Sequence, residues 1–170
     1  MDDRPPFAAY AGIATTFLAA LTGVAALAAR RNRPVEPPRA IDLALLGLAT
    51  FKGARTVARD KVTSFVREPF VEGVAYDGED EKPAGEGLQR AIGELVTCSR
   101  CIGTWIAAAL GAMTILAPRT GRLLTSILAA GALNDWLLAG FSALTAKSNE
   151  LESSTADERG RSAGRARPPA

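Results

Sequence analysis

Three long apolar segments dominate the pattern of hydrophobic and polar positions. Residues 7–29 run for 23 positions without a charge, residues 102–117 run for 16, and residues 123–146 contain a single charge. A hydrocarbon core of about 30 Å requires about 20 helical residues, so these segments predict transmembrane helices. The second becomes long enough if its helix begins near Glu94. A turn at residues 118–122, "PRTGR", then separates it from the third.

A fourth apolar segment, residues 40–61, carries basic residues within it. At 100° per residue, Lys52, Arg55 and Arg59 lie within about 60° of each other on a helix. The segment fits an amphipathic helix on the membrane surface, or a spanning helix whose basic side chains snorkel to the interface. We favour the spanning helix because residues 41–51 carry one charge. The pattern thus predicts an all-α, polytopic transmembrane helix bundle with four spans: a three-helix core plus an N-terminal extra helix.

The polar segments set the predicted domain boundaries. Residues 1–39 form an N-terminal transmembrane helix and an Arg/Pro-rich connector, residues 40–146 a three-span core with a polar loop at 60–93, and residues 147–170 a disordered tail. The "ALAA" near the end of the first helix resembles a signal-peptide cleavage site. We expect an uncleaved helix, because the apolar run is too long and "MDDRPP" is a poor positive leader.

The distribution of Lys and Arg predicts the orientation. With both termini in the cytoplasm, fourteen of the twenty basic residues of the four-span arrangement lie inside. The "RRNR" run then lies outside, contrary to the tendency of basic residues to lie on the cytoplasmic side. We therefore predict a multi-pass protein of the inner (cytoplasmic) membrane, with the termini and the cysteines in the cytoplasm.

The amino-acid composition excludes several kinds of catalytic and metal site. The chain of 170 residues is 48% hydrophobic and contains no histidine, which excludes Ser-His-Asp and Cys-His relays and imidazole metal ligands. The net charge of +2 and the lack of basic stretches interleaved with aromatics argue against nucleic acid as a partner. We expect a protein that is not an enzyme.

Cys98 and Cys101 form a Cys-x-x-Cys pair at a predicted helix start. There both sulfurs share one face, and a helix N-terminus lowers thiol pKa values. Three interpretations are open: structural packing, a four-thiolate zinc site shared between two chains, or a redox pair. Two cysteines cannot complete a zinc site within one chain. We favour packing and expect no cofactor, with zinc as the alternative.

Asp135 lies near the middle of the last predicted span. Because an ionisable group is costly to bury in a membrane, its presence there indicates a functional role. Lys52, with Arg55 one turn nearer the cytoplasm, is at a similar depth on the second span. We predict an intramembrane ion pair that fixes helix register. Proton or ion transfer through Asp135 is the weaker alternative, since few other polar residues could line a path.

Small residues recur at four-residue spacing on two predicted spans. Gly103, Ala107 and Gly111 lie on one, and Ala49 and Gly53 on the other. Such stripes allow close helix approach in a bilayer. They fit packing against a second copy of the chain or another membrane partner, besides the lipid bilayer itself.

Two segments resemble an uncharacterised bacterial and phage membrane family, domain of unknown function 1360 (DUF1360), over about residues 42–146. "ATFKGARTVARDKVTSFVREPF" is similar to its Arg-rich helix followed by Asp-Lys and Arg-x-Pro-Phe. "GELVTCSRCIGTW" is similar to its Gly-Glu-Leu…Cys-x-x-Cys-x-Gly-x-Trp signature. The matching positions are Arg55, Asp60, Arg67, Pro69 and Phe70, then Gly93, Glu94, Leu95, Cys98, Cys101, Gly103 and Trp105.

The chain departs from this pattern at Ser99 and Thr104, where the family commonly has proline and an aromatic residue. The resemblance implies a membrane location and a helical core, and no activity. Asp60, Arg67 and Glu94 should flank the spans beside the cysteines, where opposite charges could hold an ordered cytoplasmic cap. We expect a non-catalytic scaffold or assembly partner. A metal- or redox-responsive protein using the cysteines is the alternative.

Overall fold

The computed structural model describes residues 5–32, 37–75 and 81–165, with side chains as far as Thr155. Its regular elements are helical. They are α1 (Phe7–Arg30), α2 (Ala40–Arg59), α3 (Ser64–Arg67), α4 (Gly87–Thr97), α5 (Ser99–Leu116) and α6 (Pro118–Arg165), with 3-10 turns at Lys61–Thr63 and Glu68–Phe70.

Helix α5 begins later than the sequence predicts. The backbone is extended at Cys98, with φ −95° and ψ 105°, and this residue separates α4 from α5. The expected start near Glu94 was therefore wrong: Glu94 belongs to α4, which ends at Thr97. Cys98 serves instead as the N-cap of α5, with its sulfur accepting a hydrogen bond from the backbone N–H of Cys101.

The predicted turn at residues 118–122 is also wrong. Only Ala117 separates α5 from α6, and Pro118 is the first residue of α6. Proline suits the first helical turn because its missing N–H has no partner to lose there. Gly121 allows the tight hairpin, since a Cβ at this position would lie 2.5 Å from the backbone nitrogen of Thr114.

Helices α2 and α5 pack closely against each other and run antiparallel. Gly103 on α5 faces Ala54, where an added Cβ would lie 3.6 Å from the Cβ of Ala54. Further along, a Cβ at Gly53 would meet Ile106 at 3.1 Å. Both residues belong to the predicted small-residue stripes, and the absence of side chains is what brings the two helices together.

The buried core is made of small residues, with larger apolar side chains around it. Ala49, Leu110 and Ala129 form the core cluster contributed by α2, α5 and α6. Many large apolar side chains point outward instead, including Leu21 and Leu123. Small residues inside and large apolar ones outside are the arrangement expected when the surrounding medium is lipid.

Three helices are long and apolar enough to cross a membrane: α1, α5, and α6 from Pro118 to Thr155. Helix α2 has sufficient length, with 20 residues, but its basic residues lower its hydropathy. The all-α bundle is confirmed, whereas the count of four spans stays a prediction.

The chain divides into two compact units, residues 1–132 and 133–170. In the second unit α6 continues as a helix to Arg165, through the first part of the tail for which the sequence predicts disorder. An ion pair between Lys147 and Glu150, at 3.0 Å, lies on this exposed helix.

Candidate functional site

The polar segment between α2 and α5 is here called the cap (residues 60–75 and 81–98), and it belongs to the first compact unit. Two stretches of its backbone, one on each side of the residues that are not described, are joined by an isolated antiparallel bridge between Val71 and Pro83. The N–H of Glu72 donates to the carbonyl of Lys82, and that of Ala84 donates to the carbonyl of Phe70, both at 2.8 Å. In its described part this segment is therefore folded.

Arg67 is the centre of the cap. Only 1% of this residue is exposed, and it is the largest fully buried side chain among the described residues. Its Nε and Nη2 donate to the two carboxylate oxygens of Glu81, at 2.8 and 3.0 Å. This bidentate arrangement is the strongest geometry available to an arginine and a carboxylate.

The rest of the guanidinium binds backbone carbonyls. Nη1 donates to Val57 at 2.7 Å and to Asp60 at 3.2 Å, and Nη2 donates to Ala75 at 2.9 Å. These acceptors belong to the end of α2 and to both sides of α3. One buried side chain thus ties the end of a helix to the loop that follows it.

The partner of Arg67 differs from the expected one. Asp60 and Glu94 were the acidic residues predicted to lie beside Arg67 as candidate partners. Asp60 contributes its backbone carbonyl to Arg67. The carboxylate comes from Glu81, whose side chain is 4% exposed and which lies in the polar loop predicted at residues 60–93.

Glu94 has a different role, because it connects the cap to α1. It accepts a hydrogen bond from the Tyr10 hydroxyl and one from Arg90 Nε at 3.2 Å. The ion pair with Arg90 is about one-third exposed and spans one helical turn. Tyr10 lies near the start of α1, so the start of α1 and the cap are at the same end of the helices.

Gly93 and the Pro69–Phe70 pair form a close backbone contact. A Cβ at Gly93 would clash with the Phe70 carbonyl oxygen and would lie 3.0 Å from the Cβ of Pro83. In addition, Gln89 Nε2 donates to the Pro69 carbonyl at 2.9 Å. Glycine at position 93 lets α4 pack directly against the bridge of the cap.

The two cysteines are free thiols at the junction of the cap and α5. Their sulfurs lie 2.7 Å apart, with the Cys101 thiol donating to Cys98. This hydrogen bond lowers the pKa of the Cys98 thiol, and backbone N–H groups at the start of α5 act in the same direction. Among the described residues, no group of three metal-ligating side chains could hold a metal ion.

Trp105 and Gly103 complete the signature on α5. Trp105 packs edge-to-face against Phe17 of α1, with ring centroids 5.0 Å apart. Gly103 faces α2. The two residues therefore bind α5 to its neighbours on both sides.

The predicted intramembrane ion pair involves both units of the chain and stays a prediction. Within the first unit, the aliphatic part of Lys52 lies over α6, where a Cβ at Gly131 would meet its Cε at 3.4 Å. Arg55 is exposed near the end of α2. Asp135 is half-buried in the second unit.

These features define a class: an all-α helix bundle with three helices long and apolar enough to cross a membrane, and a folded polar cap at one end. The chain belongs to the family described as "Protein of unknown function (DUF1360)", whose model matches residues 45–140. The match covers most of α2, the cap, α5 and α6 as far as Gly140, and confirms the family predicted from sequence. No curated protein and no solved structure matches the chain.

Proposed function

We propose that the protein is an integral protein of the inner membrane with four spans, of which α2 is one. The packing of α2 supports this assignment. It lies antiparallel to α5 from Ala54 beside Gly103 to Ala49 beside Leu110, and α5 is itself apolar enough to span. We infer from this packing that α2 enters the membrane beside α5, since close approach through small residues is typical of helices within a bilayer.

The proposed orientation places the cap and the start of α1 together in the cytoplasm. Support comes from the hydrogen bond between Tyr10 and Glu94 and from the ring contact between Phe17 and Trp105. Both contacts put the start of α1 beside the start of α5. The distribution of basic residues assigns that side to the cytoplasm.

Within this arrangement the protein acts as a non-catalytic scaffold or assembly partner, with the cap as its docking surface. The observation that carries the proposal is an exposed apolar face on the cap. Val62 is 84% exposed and Phe65 69%, and Val66 is partly exposed beside them. Val62 lies in the 3-10 turn before α3, and Phe65 and Val66 lie in α3, so the three exposed apolar residues fall within one five-residue segment. Exposed apolar clusters of this kind typically mark interaction sites.

The interior of the cap supports the same role. Arg67 directs its hydrogen-bond donors to Glu81 and to backbone carbonyls, so that the cap is held in one shape. A preformed surface loses less conformational entropy when a partner binds. Arg67 and Glu81 thus hold the shape of the cap from inside, while Val62, Phe65 and Val66 remain exposed on its surface.

Site-specific photo-crosslinking in cells tests the docking surface. A photo-reactive residue replaces Phe65, and the control replaces Glu72, which is exposed on the cap and polar. We expect a discrete crosslinked protein adduct from position 65 and none from position 72. Combining the probe at 65 with Arg67→Met should remove the adduct. Crosslinks to lipid alone, or equal adducts from both positions, would contradict the proposal.

The thiol pair supports a second candidate, a redox-responsive membrane protein. Its basis is the 2.7 Å separation of the sulfurs and the lowered pKa of Cys98. Oxidation by a thiol oxidant such as diamide would remove two electrons and two protons and join Cys98 to Cys101. If this is the function, replacing both cysteines by serine should abolish the response to diamide. A scaffold should retain its adduct from position 65 with both serines in place.

A further inference from the structure

We propose that the protein binds an anionic phospholipid in a groove between α2 and α5, here called the arginine groove. It has a volume of about 930 Å³ and is lined by small residues of both helices, including Ala54, Gly103 and Ala107. Its basic lining residues are Arg55, Arg59 and Arg100. The inference goes beyond the scaffold role and rests on the proposed insertion of α2 in the membrane.

The position of the three arginines matches a lipid headgroup. Arg55 and Arg59 lie in the last turns of α2, and Arg100 lies in the first turn of α5. The helices are antiparallel, so the three residues are at the same level, where the spans meet the cap. All three are exposed. Basic pockets between helices at the cytoplasmic interface are a recurrent way of binding anionic headgroups.

The charge of the groove selects an anion. None of the described residues that line it is acidic. A neighbouring cavity of about 450 Å³ shares Arg59, Ser99 and Arg100, and adds Glu81 to its lining. The Glu81 carboxylate is bound on both oxygens by Arg67, so its charge is compensated within the cap. Among the described lining residues, Arg55 and Arg100 therefore place two positive charges at this end of the groove with no acidic side chain in its lining.

The apolar part of the groove fits an acyl chain. Gly47 and Ala107 carry little or no side chain, so they leave space beside the contact of Ala54 with Gly103 that larger side chains would fill. Phe51 is 42% exposed at the same groove. Thr50 also lines the groove, and among the described residues its hydroxyl has no hydrogen-bond partner. An apolar trough that leads away from three arginines suits a molecule with one charged end and one hydrocarbon end.

Native mass spectrometry of the full chain in detergent tests this proposal. The probes are phosphatidylglycerol and, as the neutral comparison, phosphatidylcholine. We expect the wild type to retain phosphatidylglycerol and to release phosphatidylcholine. Each basic residue strengthens binding of anionic lipid by about fivefold, so Arg55→Gln with Arg100→Gln should weaken retention about 30-fold. Arg122→Gln, an exposed arginine outside the groove, is the matched control and should change retention little.

Two further measurements test the contributions of the groove's shape and of the acyl chain. Thr104→Trp keeps every arginine but fills the groove beside Gly103, and should also weaken retention. Inorganic phosphate and glycerol phosphate should not displace the lipid at equal concentration. Equal retention of both lipids, equal loss in Arg122→Gln, unchanged retention in Thr104→Trp, or displacement by free phosphate would overturn the proposal. Insertion of α2 is measured separately, by labelling of engineered cysteines, so that the two claims fail independently.

Discussion

The buried ion pair between Arg67 and Glu81 gives the sharpest prediction. Arg67→Met preserves much of the volume and removes the charge. It breaks two hydrogen bonds to Glu81, at 2.8 and 3.0 Å, and leaves the carbonyls of Val57 and Ala75 without this donor. The Glu81 side chain is 4% exposed and would then be buried as an uncompensated charge. Removing one partner of a buried pair costs about 3–5 kcal/mol.

Hydrogen–deuterium exchange measures this loss of stability through the protection of amides within the cap. The reporters are the amides of Glu72 and Ala84, which form the hydrogen bonds beside the Val71–Pro83 bridge. A loss of about 3–5 kcal/mol should lower their protection by about two to three and a half orders of magnitude, or to the level of an unstructured chain. Amides in the middle of α5 should keep their protection, because the loss is local.

The matched control is Arg90→Met. Arg90 also pairs with a glutamate, at 3.2 Å, but both side chains are about one-third exposed. A solvent-exposed pair of this type contributes about 0.3–0.5 kcal/mol. Adding Glu81→Met to Arg67→Met should restore part of the protection, because it removes the uncompensated charge. A change below about fivefold in Arg67→Met, or an equal change in Arg90→Met, would refute the reasoning.

Three further predictions follow from the contacts of the signature residues. Gly93→Ala should lower the melting temperature because its Cβ clashes with the Phe70 carbonyl, at a cost of about 1–3 kcal/mol. Gly111→Ala, inside α5 with nothing within 4 Å, should not lower it, because alanine favours a helix over glycine; equal losses would contradict the contact. Trp105→Ala should weaken the packing of α1 against α5, since an aromatic pair adds about 0.5–1.5 kcal/mol beyond its buried area. The hydrogen–deuterium exchange rate of the α1 amides should therefore rise, and an unchanged rate would count against the pairing. The lowered pKa of Cys98 means that its thiolate forms at lower pH than that of an ordinary cysteine, so its alkylation rate should rise at lower pH. Cys101→Ala should shift that profile to higher pH because it removes the hydrogen bond that lowers the pKa, and an unshifted profile would exclude this cause.

Hydrophobic patterning located the helices well because a spanning helix is recognisable by its length and composition. The expected apolar run at residues 7–29 became α1, Phe7–Arg30, almost unchanged. The Cys-x-x-Cys pair was placed at a helix start, but the same span was also expected to begin near Glu94, because "GELVTCSRCIGTW" contains no proline or glycine at the junction that would mark a break. The interruption lies in the backbone of Cys98, whose sulfur caps the new helix.

The centre of the cap was harder to predict. Arg67 was recognised as a charged residue of the interface, but its carboxylate partner is fourteen residues further along, in a stretch rich in acidic residues and glycine. Composition suggests mobility there and cannot indicate which acid is buried. Gly93 was assigned to the motif without a reason, since its close contact with Phe70 depends on the folded loop. Pairings of this kind are tertiary and leave no local periodicity.

The central claim is a multi-pass membrane protein whose cap and cysteines face the cytoplasm, and labelling with a membrane-impermeant maleimide tests it most directly. Cys98, with its lowered pKa, and the exposed Cys101 lie beside the cap, and this native pair is the natural target. Arg122→Cys, in a chain with both native cysteines replaced by serine, reports the opposite end of the α5–α6 hairpin. We predict that the native pair is labelled only after the membranes are opened, and that the cysteine at 122 is labelled in intact cells. Labelling of the native pair in intact cells would contradict the orientation, and labelling of both positions only after opening would contradict a spanning α5.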